Sequence, residues 1–202
     1  MTEVLAETSP PSLTKRTISG VAWSSTGRIV AQLVSISVLM LVARILTPKE
    51  YGLFGMARLA TGFIEIFRDL GTTAAIIQRN HLTEELVSSV FWANLVLGLL
   101  TAVITFAGAS YVAKFYQEPG VTPIIQILAW GFVIMSVGAV PAALLNRDMA
   151  FRQIVTIELT AAVSAAIVTC TAVLSGAGVW SLVVSVLVSA FVSTVLFWKV
   201  SG

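Results

Sequence analysis

Apolar residues in this chain come in long runs rather than in alternation. No charged residue occurs from Ile29 to Val42, and none from Leu159 to Trp198. A helix needs about 20 mostly apolar residues, each adding about 1.5 Å, to cross a hydrocarbon core of about 30 Å. By that measure the pattern predicts six spans, at about 17–46, 51–77, 84–113, 121–145, 151–174 and 178–198. Residues 1–16, polar, acidic and carrying Pro10-Pro11, are expected to form a flexible cytoplasmic tail. The expected fold class is all-α, an integral membrane bundle of six transmembrane helices.

The breaks between runs have local causes. Pro48 lacks an N–H and its ring clashes with a preceding helical turn, so the first helix must stop before it. Glu118-Pro119-Gly120 and Ser175-Gly176-Ala177-Gly178 read as tight turns. Thr83 followed by Glu84 and Glu85 has the character of a helix start, with acids where the N-terminal dipole favours them. Pro123 falls in a first turn, where proline is tolerated, whereas Pro141 lies deep in its helix and should bend it.

Composition agrees with the pattern. Of 202 residues 57% are hydrophobic and 11% charged, with a mean hydropathy of +0.94. Soluble domains carry about 25% charged residues. The net charge of +2 and the absence of a basic run longer than Lys15-Arg16 argue against a nucleic-acid partner. One cysteine, Cys170, and one histidine, His81, allow neither a disulfide within the chain nor a Cys/His metal site. No Ser/His/Asp set, Walker loop or dinucleotide fingerprint is present, so neither an enzyme nor a cofactor is expected. The first residues lack the short apolar core and small-residue cleavage site of a secretory signal.

A few polar residues interrupt the apolar runs: Arg28, Arg58, Glu65, Arg68, Asp69, Asn94 and Glu158. An ionisable group inside a membrane helix costs several kcal/mol unless it faces protein or water, so each is a functional candidate. Arg28 either snorkels to the cytoplasmic interface or faces a cavity. Arg58 and Glu65, seven residues apart, share a helix face, and Glu65 also lies within reach of Arg68 and Asp69. That cluster is either an internally neutralised tie or the polar wall of a path. Small and polar residues also recur every four positions: Gly27, Ala31 and Ser35; Asn94, Gly98 and Ala102; Ala161, Ala165 and Thr169; Ser181, Ser185, Ser189 and Ser193. Such seams let helices approach closely.

The run Ala43-Arg-Ile-Leu-Thr-Pro-Lys-Glu-Tyr-Gly52, with Arg68-Asp-Leu-Gly71 and Phe91-Trp-Ala-Asn94 in the same order further on, resembles the polysaccharide transporter family. These are the lipid-linked oligosaccharide flippases of bacterial O-antigen, capsule and exopolysaccharide synthesis, relatives of the multidrug-and-toxin exporters. The resemblance implies one half of a two-bundle MATE-like transporter in the bacterial inner membrane, working by alternating access and driven by an ion gradient or membrane potential. It implies a polyprenyl-diphosphate-linked glycan as substrate and membrane lipids as surroundings. Arg28, Arg58 and Arg68, with Glu65 and Asn94, are then the candidate substrate-binding residues, the guanidinium fork being suited to phosphate.

Six helices correspond to the first of two bundles, so the sequence leaves open a truncated product, a missing C-terminal half or assembly with a second copy. Lys15, Arg16, Arg79, Arg147, Arg152 and Lys199 on one side against Arg44, Lys49 and Lys114 on the other, with Arg58 a further candidate there, modestly favour cytoplasmic N- and C-termini. Two other functions stay open: a non-transporting fragment or scaffold with purely structural charges, and a multidrug exporter-like half using Glu65 or Asp69 as its coupling acid.

Overall fold

The computed structural model describes residues 13–68 and 84–201, with the side chains of 13–26, 28, 67, 68 and 84 outside that description. The described residues form six helices: α1 (Leu13–Ile45), α2 (Pro48–Arg68), α3 (Glu84–Tyr116), α4 (Val121–Arg147), α5 (Phe151–Leu174) and α6 (Trp180–Ser201). Four of them, α3 to α6, are long and apolar enough to cross a membrane; the apolar part of α1 that is described runs over Ile29–Ile45. The sequence pattern predicts six spans. α2 falls short of the criterion because Lys49, Glu50, Arg58, Glu65 and Arg68 all lie within its 21 residues.

The protein is apolar on the outside. Trp92, Val96, Leu99, Leu100, Val103 and Ile104 of α3 are all exposed, and only 17% of that helix's most apolar stretch is buried. Leaving one Leu or Phe side chain in water forgoes about 1.5–3 kcal/mol, so a face of this kind belongs in lipid.

α2 begins earlier than the apolar run suggests. Thr47 caps it: the Thr47 hydroxyl and backbone N–H donate to Glu50 Oε2 at 2.7 and 2.9 Å, and the Glu50 N–H donates back to Thr47 Oγ1 at 3.3 Å. This is a capping box, Thr-x-x-Glu, with Pro48 at the first helical position where its missing N–H costs nothing. What reads in the sequence as a turn is therefore the first turn of a helix. α5 ends in a Schellman motif, with Gly176 (φ 80°) donating to Val173 O and Ala177 to Ala172 O. α3 and α4 end in the same way on non-glycine residues, Gln117 (φ 56°) and Met149 (φ 51°).

Packing follows the small-residue seams. A side chain at Gly98 would collide with Ser136 of α4, and one at Gly27 would run into Val155 of α5. A side chain at Gly138 would strike Thr194 of α6. α3 packs on α4, α4 on α6, α6 on α5, α5 on α1, and α2 rests on α3 and α4. The main core, Ala57, Ala109, Ala113, Val121, Ile124, Ile125, Leu128 and Val183, lies where α2, α3, α4 and α6 meet.

Pro141 does not end α4. Lacking an N–H, it leaves the Val137 carbonyl one turn back without the usual helical donor. The Trp198 indole N–H of α6 supplies that bond at 3.1 Å, and the Thr194 hydroxyl donates to Ile134 O at 3.1 Å beside it. Phe91 of α3 packs edge-on against Trp198 with ring centroids 6.0 Å apart, so the bend draws three helices together.

Candidate functional site

α2 stands across a gap from α5 and α6. The gap is a cavity of about 640 Å³ bounded by Ser35 and Val38 of α1, Phe54, Arg58 and Glu65 of α2, Ala162, Ala166 and Thr169 of α5, and Ser185, Ser189 and Ser193 of α6. Two sequence features converge on it, the Arg58/Glu65 face and the serine seam of the last helix.

Arg58 Nη1 stands 3.6 Å from Glu65 Oε1, and the two side chains are 38% and 31% exposed. Seven residues is close to two helical turns, so both project from the same side of α2. At that exposure the pair is partly solvated and contributes on the order of 1 kcal/mol or less to stability. A single long ion contact leaves most of the guanidinium's five donors for other partners. Opposite, Ser185 and Ser189 make no hydrogen bond among the described residues, while Ser193 donates to Ala190 O at 3.0 Å and the buried Thr169 to Ala165 O at 2.7 Å. The cavity thus offers a cation, an anion and a ladder of hydroxyls between walls of alanine, valine and methionine.

The other candidates lie elsewhere. Asn94 is buried on the α3 seam one turn from Gly98, and its Nδ2 donates to Val90 O at 3.0 Å; it is not among the residues that line the cavity. Arg28 lies on α1 and Arg68 closes α2, with side chains outside the described set, as is all of Asp69. Ser35, Phe54 and the α6 serines are cavity residues that a search for charges passes over; the serines are signalled in the sequence by their four-residue spacing, and Phe54 has no such signal.

One end of the cavity abuts an apolar cluster. Val42, Leu46, Val173 and Leu182 form a small core against which Val38 and Phe54 pack, and Val38, Phe54 and Leu182 also line the cavity. Beyond this plug lies the capping box. The Glu50 carboxylate accepts from Thr47 and lies beside the Val179 N–H, and these contacts hold it below the usual carboxylate range, the Thr47 hydroxyl contributing most. A Cβ at Gly178 (φ 56°) would collide with Glu50 Oε1, so this contact requires glycine there. Lys49 faces Glu118 at 3.9 Å, and Leu53 packs under Gly120. The turns after α1, α3 and α5 meet at this end.

Helices with an apolar exterior, packed around a cavity that holds an ion pair and several hydroxyls, define a multi-pass membrane protein. Comparison with known proteins narrows this. The model of the polysaccharide biosynthesis protein family matches residues 41–202, and the chain belongs to that family. It is 31% identical over 186 residues to the succinoglycan biosynthesis transport protein ExoT of Rhizobium meliloti, covering 90% of this chain and 37% of that protein. It is 29% identical over 190 residues to the lipopolysaccharide biosynthesis protein WzxC of Escherichia coli, covering 92% of this chain and 38% of the relative. To the teichuronic acid biosynthesis protein TuaB of Bacillus subtilis it is 30% identical over 149 residues, 74% of this chain and 31% of TuaB. The chain therefore spans less than two-fifths of the length of these relatives. No solved structure gives a significant match.

Proposed function

We propose that this chain forms one helical bundle of an exporter that carries a lipid-linked glycan across the bacterial inner membrane. The cavity carries the reading. A sugar headgroup needs hydroxyl partners, its diphosphate needs a cation, and the prenyl tail needs an apolar rim; Ser185, Ser189, Arg58 and the surrounding Ala and Val side chains supply that chemistry in one place. Family membership and the transport named for ExoT support it. In this reading α1 and α2 also cross the membrane, making six spans. α2 tolerates its charges because Arg58 and Glu65 face the cavity rather than lipid.

The bundle works against a second one, in the two-bundle MATE-like arrangement, supplied by a further segment or by a second copy. Arg28, Arg68 and Asn94 are secondary candidates for headgroup contact, and the bias of basic residues favours cytoplasmic termini.

Surface-polymer complementation of an exporter-deficient strain tests the proposal. Arg58→Ala and Arg68→Ala should each lower polymer export by about tenfold or more, as expected for one charge-assisted phosphate contact. Undiminished export by both variants, at equal membrane levels, would refute it.

A further inference from the structure

We infer that Glu50 is the latch of a gate that closes the cavity at the end where the turns after α1 and α5 meet; the inference rests on the transport reading above. α2 packs on α3 and α4, and the cavity lies between its Phe54, Arg58 and Glu65 and the facing residues of α5 and α6. At its first turn it crosses that gap. There Glu50 binds Thr47 of its own capping box through Oε2, while Oε1 lies against Gly178, two residues before α6 begins.

The opposing surface is shaped for the carboxylate, since Gly178 has a left-handed backbone and a Cβ there would occupy the space of Glu50 Oε1. One helical turn inward from these two partners, Phe54 and Leu182 join Val42, Leu46 and Val173 in the plug that ends the cavity. The layers therefore run in order: a charged hydrogen-bonded latch, an apolar plug, then the polar cavity. Besides the latch, α2 meets α6 through Phe54 in the plug and Ala57 in the main core, so release of the latch lets the first turn of α2 move away from α6 and carry Phe54 out of the plug while Ala57 keeps the helix seated. The Lys49–Glu118 and Leu53–Gly120 contacts tie the same turn to the α3–α4 turn and give it a pivot that stays engaged.

Thiol labelling in intact membranes tests this. Cys170, the sole cysteine, is replaced by alanine and a reporter is placed in the cavity by Ser185→Cys. A membrane-impermeant maleimide is then applied on the face from which a Lys49→Cys variant is labelled, Lys49 being 75% exposed. With Glu50 intact the reporter should react slowly. With Glu50→Gln, and independently with Gly178→Ala, it should react at least about tenfold faster, the shift in open population that loss of one charge-assisted hydrogen bond brings.

Gly178→Ala perturbs the latch from the opposite element, so the two variants do not share a route to misfolding. Equal labelling of both variants and the parent overturns the gate, as does fast labelling of the parent itself. The readout needs no transport. A shifted labelling rate without any export activity in the parent would keep the gate and discard the exporter, and the converse result would do the reverse.

Discussion

At the scale of single residues, stability here turns on backbone groups that need a partner. The Val137 carbonyl, deprived of a helical donor by Pro141, takes its hydrogen from Trp198. Trp198→Phe should cost about 1–3 kcal/mol, the range for stranding a sheltered carbonyl. In a Pro141→Ala background the cost should fall, because alanine at that position restores the helical N–H; unfolding in detergent, run as a double-mutant cycle, reads the coupling. Met149 sits at φ 51° with its side chain 68% exposed. Met149→Gly should therefore stabilise the protein by about 0.5–1 kcal/mol, seen as a rise in Tm.

Glu50 gives a pH signature. Its folded pKa lies below the ordinary 4.5, so its contribution is complete above that value and is lost as pH falls through the lower folded one. The Lys49–Glu118 ion pair lies beside it, so the informative quantity is the Tm gap between the wild type and Glu50→Gln. That gap should hold steady from neutral pH to about 5 and shrink below it. The capping box was legible in Thr-Pro-Lys-Glu as a pattern, yet the proline there reads first as a stop. Only the geometry shows that the stop and the next start share one residue.

At the scale of elements, glycine seams set which helices touch. Gly98 and Gly138 sit against Ser136 and Thr194, whereas nothing lies within 4 Å of a Cβ at Gly108. Gly98→Val and Gly138→Val should each destabilise by about 1–3 kcal/mol or more through overpacking, and Gly108→Ala should be neutral or slightly stabilising. Thermal unfolding of the three variants checks the contrast. The seams of α3 and α6 could be read from four-residue spacing, because closely packed membrane helices need small side chains. The partners could not: nothing in the sequence says that Gly98 meets α4, or that the α6 seam splits, burying Ser181 while Ser185, Ser189 and Ser193 turn to the cavity. Which seam meets which is settled by three-dimensional packing.

At the scale of the whole molecule, the apolar exterior and polar cavity are two sides of one partition. Charge counts along the chain reveal that Arg58 and Glu65 are costly in lipid and hence sheltered, and their spacing puts them on one face. What shelters them, a wall of serine and alanine from helices more than a hundred residues away, is a property of the assembled bundle. The 43–52 run lies at one end of that bundle, where Glu50 sits against Gly178, and none of its residues lines the cavity.

The most direct test of this partition compares cysteines in the Cys170→Ala background, with a small charged thiol reagent supplied to both faces of the membrane. With water in the cavity, Ser189→Cys and Ser193→Cys should react, and Leu99→Cys on the outer face of α3 should stay inert. Reaction at Leu99→Cys with silence at both serine positions would contradict the account.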